Sequence, residues 1–346
     1  MKYWPLALVA FLFLANSCTN VKEKHLTNIS STKELKGIRL KVKPGKVVFI
    51  VDTLIILSLA EPDTCLFAVY GLNSNKYLGS IITRGKKGGK FSDVLFYGQS
   101  KKSKNGVSIW LADFNTKEIS LINVTTTIQD QNIHLERRET FAHNKITNPV
   151  FLFPIPDNSI TGFQKLLAKN EEDERVFSFN PSNKQIAFKS THKINLPSDI
   201  NDVFADIAYS GYAKIKPDGS QIAYARKLTP TINISNATGD LSVVYFLSEE
   251  SPTRFDKETL EKGKYKIYNS WIDVTDGYIY VLRRNDMLKD MRNSNKPRLI
   301  CKIDWQGNLT ENFKISDRIT NFAVDEKNNV IYGLSHIDQI LYKYTL

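Results

Sequence analysis

The sequence predicts an all-β chain folded as a six-bladed β-propeller, with seven blades as the alternative. Three observations carry that expectation. Strand-like runs dominate from residue 37 to the C-terminus. Tyr and Phe are plentiful (15 and 19) and Met is scarce (3), which favours sheet over a helix bundle. Tight-turn signals recur between the runs, and the body of about 310 residues (37–346) would hold six or seven blades of roughly 40–50 residues each.

The runs are short, rich in β-branched and aromatic residues, and bounded by Asn, Gly, Asp and Pro. Lys46–Val51, Ser108–Ala112, Tyr278–Leu282 and Val330–Leu334 are examples. Phe179-Asn180-Pro181-Ser182-Asn183-Lys184-Gln185-Ile186-Ala187-Phe188 aligns without a gap, 36 residues on, with Ile215-Lys216-Pro217-Asp218-Gly219-Ser220-Gln221-Ile222-Ala223-Tyr224. In each, Pro presets φ and Gly or Asn accepts φ > 0, so the chain reverses. Val324–Tyr332, Val274–Tyr280 and Asp304–Leu309 read as further hairpins. Radial stacking of small sheets buries both faces of such hairpins and leaves only short edges. A pair of β-sandwiches is the competing arrangement. Helix is expected only in Thr161–Glu174 and Phe255–Glu261.

The N-terminus carries a secretory signal. Met1-Lys2-Tyr3 precede an apolar run, Trp4 to Leu14, followed by Ala15-Asn16-Ser17-Cys18. The run is too short to span a bilayer, which takes about 20 residues. Small residues before a cysteine resemble a bacterial lipobox. That resemblance implies removal of residues 1–17, a lipid on Cys18, and a cell-envelope location anchored in a membrane. Thr19 and Asn20 follow with no Asp beside the lipid, which by similarity to sorting rules fits the outer membrane, the leaflet being open. An ordinary cleaved signal is the alternative. Residues 18–36 then form the lipidated cysteine and a polar tether, and 37–346 the propeller domain.

The formal charge is +11, or +10 once Lys2 is lost. A basic surface favours anionic partners, namely acidic glycans or lipid headgroups, and an envelope location disfavours nucleic acid. Cys65 and Cys301 are far apart and each lies in an apolar run, so they read as small buried hydrophobes rather than a disulfide. No CxxC exists, which excludes zinc-ribbon and redox motifs.

The two aligned segments resemble the repeat of TolB-type propellers: Pro217-Asp218-Gly219 and Ile222-Ala223-Tyr224 match well, Pro181 and Ile186-Ala187-Phe188 less completely. A closer likeness is to TolB-like six-bladed propeller lipoproteins of the Bacteroides group. It rests on Tyr77-Leu78-Gly79-Ser80 running into the loop Arg84-Gly85-Lys86-Lys87-Gly88-Gly89-Lys90-Phe91, on Tyr278–Leu282, and on Ile303–Asn308 through Phe322–Asp325 to Ile331–Leu334. The resemblance implies fold and no reaction. The loop carries Lys where that family usually has Pro and Glu.

Few constellations carry chemistry. The Gly85–Lys90 loop fails the Walker pattern, because Phe91 follows Lys90. Arg84, Lys86, Lys87, Lys90, Lys101, Lys102 and Lys104 oppose only Asp93 and form a candidate anion-binding patch on two neighbouring loops. No Gly-x-Ser-x-Gly exists, and His25, His134, His143, His192 and His336 have no metal-ligand spacing. Asp199, Asp202 and Asp206 lie close enough in sequence to suggest a hard cation, but turn roles suit them better. No metal, cofactor or catalytic residue is assigned. Trp110, Trp271, Trp305 and Tyr212 can stack on sugars or pack between blades. The leading expectation is a binding module for an envelope protein or glycan. The alternative is a carbohydrate-active enzyme (lyase, hydrolase or lactonase) with acidic residues converging on the channel.

Overall fold

The computed structural model describes residues 21–25, 32–60, 65–83, 91, 94–165, 175–189, 193–194, 196–247, 255–291 and 296–346. The chain opens with three short strands, β1 (Lys22–His25), β2 (Thr32–Leu35) and β3 (Ile38–Leu40). Blade I is β4 (Gly45–Val51), β5 (Leu54–Leu59), β6 (Cys65–Gly71) and β7 (Tyr77–Thr83). Blade II is β8 (Val94–Ser103), β9 (Gly106–Asp113), β10 (Glu118–Asn123) and β11 (Leu135–Thr140). Blade III is β12 (Pro149–Pro154), β13 (Ile160–Gln164), β14 (Val176–Phe179) and β15 (Ile186–Lys189). Blade IV is β16 (Gly211–Ile215), β17 (Gln221–Arg226), β18 (Thr231–Asn236) and β19 (Leu241–Phe246). Blade V is β20 (Lys266–Val274), β21 (Tyr278–Met287), β22 (Arg298–Asp304) and β23 (Leu309–Ile315). Blade VI is β24 (Asn321–Asp325), β25 (Val330–Ser335) and β26 (Ile340–Thr345), completed by β3. The protein is a six-bladed β-propeller.

Each blade is an antiparallel meander whose first strand is innermost. Turns between first and second strands, and between third and fourth, therefore share one end of the ring, the turn face. The connections between blades emerge on the opposite loop face. Strands inside a blade are covered on both sides by neighbouring blades, so they read as continuous apolar runs. β25 is buried at all six positions and β13 at all five. Six apolar clusters fill the six interfaces, for example Phe49, Ile56 and Val69 against Phe96, Ile109 and Leu111 between blades I and II. Ala323, Tyr332 and Leu341 meet Val48, Leu57 and Tyr70 between blades VI and I.

The ring closes through the N-terminus. β3 pairs antiparallel with β26, Ile38 opposite Lys343 and Leu40 opposite Leu341. Before it, β1 adds a fifth, parallel strand to β19 and β2 another to β23. Part of the segment expected as a free tether is therefore laid along the outer edges of blades IV and V. Each such strand turns one face to solvent, which is why its sequence is polar. Leu35 alone among the residues of β1 and β2 is buried, in the cluster of Phe313, Ile315 and Tyr344.

Two expectations change. Of Thr161–Glu174, residues 161–164 lie in β13, paired with β12 and β14, so neighbouring strands override any helical tendency; Lys165 is also non-helical, and residues 166–174 fall outside the described residues. The 36-residue alignment joins positions that are not equivalent. Pro181 lies between the third and fourth strands of blade III, Pro217 between the first and second of blade IV. The likeness is one of turn chemistry, not of blade period. The second expected helix is present as α3 (Lys257–Glu261), with Asp256 capping the Thr259 N–H. Two others, α1 (Val124–Asp130) and α2 (Asp202–Tyr209), start behind capping Asn123 and Asn201.

Leu35→Ala should destabilise the protein by about 2 kcal/mol in urea unfolding, whereas Lys33→Ala on the same strand should leave the midpoint unchanged.

Candidate functional site

The propeller axis holds a charge. The inner strands turn alternate side chains toward the centre, and β16 presents Lys214 there, 6 % exposed. Its ammonium crosses the axis to donate to the Tyr97 carbonyl of blade II at 2.7 Å. It stands 3.6 Å from the Asp273 carboxylate of blade V, 4.9 Å from the centre of the Phe49 ring of blade I and 5.8 Å from that of Trp271. Asp273 accepts the Val324 N–H of blade VI at 2.8 Å. Burial pulls the Lys214 pKa down and pushes that of Asp273 up, and each charge opposes the shift in the other. Below the pair, Trp271 packs against Tyr212 at 5.5 Å and donates to the Phe322 carbonyl at 2.8 Å. The middle of the axis is thus closed by a paired lysine and aromatic rings. A hollow of about 130 Å³ remains above it, open toward the turn face and lined in part by Asp52, Gln99 and Pro217.

A glycine makes room for this arrangement. Gly98 has φ +90, and a Cβ there would stand 2.6 Å from the Lys214 ammonium.

The second feature is a groove of about 320 Å³ on the turn face, between blades II and III and the first turn of blade IV. Trp110 and Ile119 of blade II, with Pro154, Ile155 and Pro156, supply apolar walls. Gly219, at φ +75, lets that turn close on Pro156; a Cβ would fall 2.7 Å from the proline ring. The polar rim is ordered. Arg137 lies 5.8 Å from the centre of the Trp110 ring, pairs with Glu139 at 2.9 Å and donates to Asn158 at 2.7 Å. The side chain of Gln99 donates to the Pro154 carbonyl. Asp218 is occupied by Lys216 and Ser220, which hold its carboxyl below the usual range against the opposing effect of burial. Lys101 stands at the rim, exposed, and pairs with no carboxylate among the described residues.

Of the basic residues singled out in the sequence, three lie among the described residues. Lys101, Lys102 and Lys104 cluster at the β8–β9 hairpin, with Lys102 paired to Asp52 at 2.9 Å. Arg84, Lys86, Lys87 and Lys90 lie outside the described residues, as do Asp93 and Cys18.

Asp199, Asp202 and Asp206 do not converge. Asp199 pairs with Lys257 at 3.1 Å, Asp202 heads α2, and Asp206 accepts Arg175 at 3.0 Å. No group of three metal-ligating side chains occurs among the described residues. His25 stacks on Phe246, and His143 leans on Phe179. Trp305 is buried and donates to the Thr275 carbonyl, so Trp110 is the indole among the four candidate aromatics that lines an open groove. Cys65 and Cys301 form no disulfide, and burial pushes the Cys301 thiol up to about 11. Cys65 is only half-buried, so the buried-hydrophobe reading holds fully for Cys301.

No protein-family model and no curated protein matches the chain. Solved structures do. A member of the DUF4221 family from Bacteroides vulgatus is 9 % identical, with a TM-score of 0.58 over 91 % of this chain and 98 % of that one. A putative exported protein from Bacteroides fragilis is 12 % identical, with a TM-score of 0.53 over 94 % and 98 %. The β-propeller domain of Cps50 (Swd1) from Myceliophteria thermophila is 8 % identical, with a TM-score of 0.51 over 92 % and 99 %. At these identities the similarity is one of fold.

Gly98→Ala should push the Lys214 ammonium off its position and cost about 2 kcal/mol, from the left-handed backbone and the displaced side chain together. Thermal melting against wild type measures it.

Proposed function

We propose that the protein is a TolB-like propeller lipoprotein of the cell envelope that binds an acidic glycan in the groove beside Trp110. The lipobox-like run ending at Cys18 supports the anchor, and Thr19 and Asn20 after it, with no Asp, support the outer membrane. The observation that carries the binding reading is the combination at the groove: a half-exposed indole, an ordered Arg137–Glu139–Asn158 rim, and a cation, Lys101, with its charge uncommitted among the described residues. An aromatic wall with a few fixed polar groups is the usual make-up of a small-ligand site. Sugar rings stack on such a wall, and Lys101 would pair with a carboxylate on the sugar.

The alternative, a channel-sited carbohydrate-active enzyme, needs acids and a base converging at the axis. Among the described residues, the carboxylates at the axial hollow are Asp273, committed to Lys214 and to the Val324 N–H, and Asp52, paired with Lys102.

The test is titration of the chain from Thr19 onward with uronate-containing and neutral oligosaccharides. Wild type should prefer the uronate-containing series. Trp110→Ala should bind at least tenfold more weakly, about 1.4 kcal/mol, and Lys101→Ala should lose the preference for charge. Equal binding by wild type and Trp110→Ala would overturn the site. A protein retained from envelope extract by wild type and lost by Trp110→Ala would replace the glycan with a protein partner.

A further inference from the structure

The N-terminal segment forms a basic belt around the outside of the ring. Residues 21–43 contain seven Lys or Arg against two Glu, a net +5 of the chain's +11. β1, β2 and β3 lay this segment along the outer edges of blades IV, V and VI in succession. Residues 41–44 then carry it to blade I. Lys22, Lys33, Lys36, Arg39 and Lys41 are exposed, and none pairs with a carboxylate among the described residues. Lys43 donates to the Tyr77 hydroxyl at 3.0 Å. Apolar side chains stand exposed among these cations: Val21 beside blade IV is 38 % exposed, and Ile38 on blade VI is 66 % exposed.

We propose that this belt docks on a membrane surface containing anionic phospholipid. Basic side chains clustered beside exposed aliphatic ones are the composition of an interfacial contact. The cations meet headgroup phosphates, and the apolar groups enter the acyl boundary. The chain outside the described residues adds a second argument. Only Thr19, Asn20 and Val21 separate Cys18 from the first residue of β1, a reach of no more than roughly 14 Å. Anything that holds Cys18 in a membrane therefore holds the edge of blade IV against it. Edge-on docking leaves both the turn face and the loop face open at the membrane surface. The inference stands on the belt's own residues and needs neither the Cys18 lipid nor the groove reading.

The experiment uses the unlipidated chain from Thr19 onward, which contains every strand of the ring. It is co-sedimented with phosphatidylcholine vesicles with and without phosphatidylglycerol, at low and high salt. Binding should require the anionic lipid and weaken at least tenfold in high salt. Reversing Lys33, Lys36, Arg39 and Lys41 to Glu should abolish it with an unchanged melting temperature. Reversing Lys101, Lys102 and Lys104 should leave it within twofold of wild type. A dye on Ile38→Cys, in a Cys65→Ser background, should shift to the blue on vesicles, and one on the exposed Val203→Cys of α2 should not. Binding that survives reversal of the belt, or that is lost by reversing the hairpin lysines, would overturn the proposal, as would equal binding to neutral vesicles.

Discussion

A single buried ammonium holds the centre of this molecule. Lys214 starts on blade IV, reaches the Tyr97 carbonyl of blade II, faces the Asp273 carboxylate of blade V and lies over the Phe49 ring of blade I. Asp273 passes the link to blade VI through the Val324 N–H. A lone charge taken out of water is costly unless it is paired and hydrogen-bonded, so the partners must remain where they are for the lysine to stay. Five blades are thereby fixed to one point. The same pair fills the middle of the axis beneath a hollow of about 130 Å³. Binding chemistry is left to the faces and the rim.

The rest of the ring follows from apolar surface. Each blade buries both faces against its neighbours, and the six clusters make the interfaces continuous. The closing blade borrows its fourth strand, β3, from the N-terminus, so the first and last parts of the chain depend on each other. The approach to that closure gives the outer rim its charge, because the polar residues preceding β3 run along two further blades. The surface divides along the same lines: an aromatic groove on the turn face, a basic belt on the circumference, and a paired charge at the centre.

Much of the fold was legible in the sequence. Both faces of a blade strand are buried, so runs such as Tyr278–Leu282 and Val330–Leu334 are apolar throughout and easily seen. Turn chemistry was equally plain at Pro217-Asp218-Gly219 and Asp276-Gly277. It also misled, because hairpins of different rank in their blades use the same residues, as Pro181 and Pro217 do. The axis was not legible. Lys214 and Asp273 are distant in the chain and meet only when the ring closes. The outer strands β1 and β2 were hidden by their polarity, Leu35 being the one signal, and α2 was obscured because it is only eight residues long and carries Asp202 and Asp206 behind the capping Asn201. Of the groove, Trp110 and Lys101 stood out in the sequence, whereas Arg137, Asn158 and the Pro154–Pro156 wall are brought there by the packing of blade III on blade II.

The most direct test of this account is a double-mutant cycle on the axial pair, read by urea unfolding of wild type, Lys214→Met, Asp273→Leu and the double variant. If the pair fixes the centre, each single change should cost about 3–5 kcal/mol by stranding its partner's charge, and the double variant should be far more stable than their sum predicts. Small single effects that add to within about 0.5 kcal/mol would contradict it, and the ring would then rest on its apolar interfaces alone.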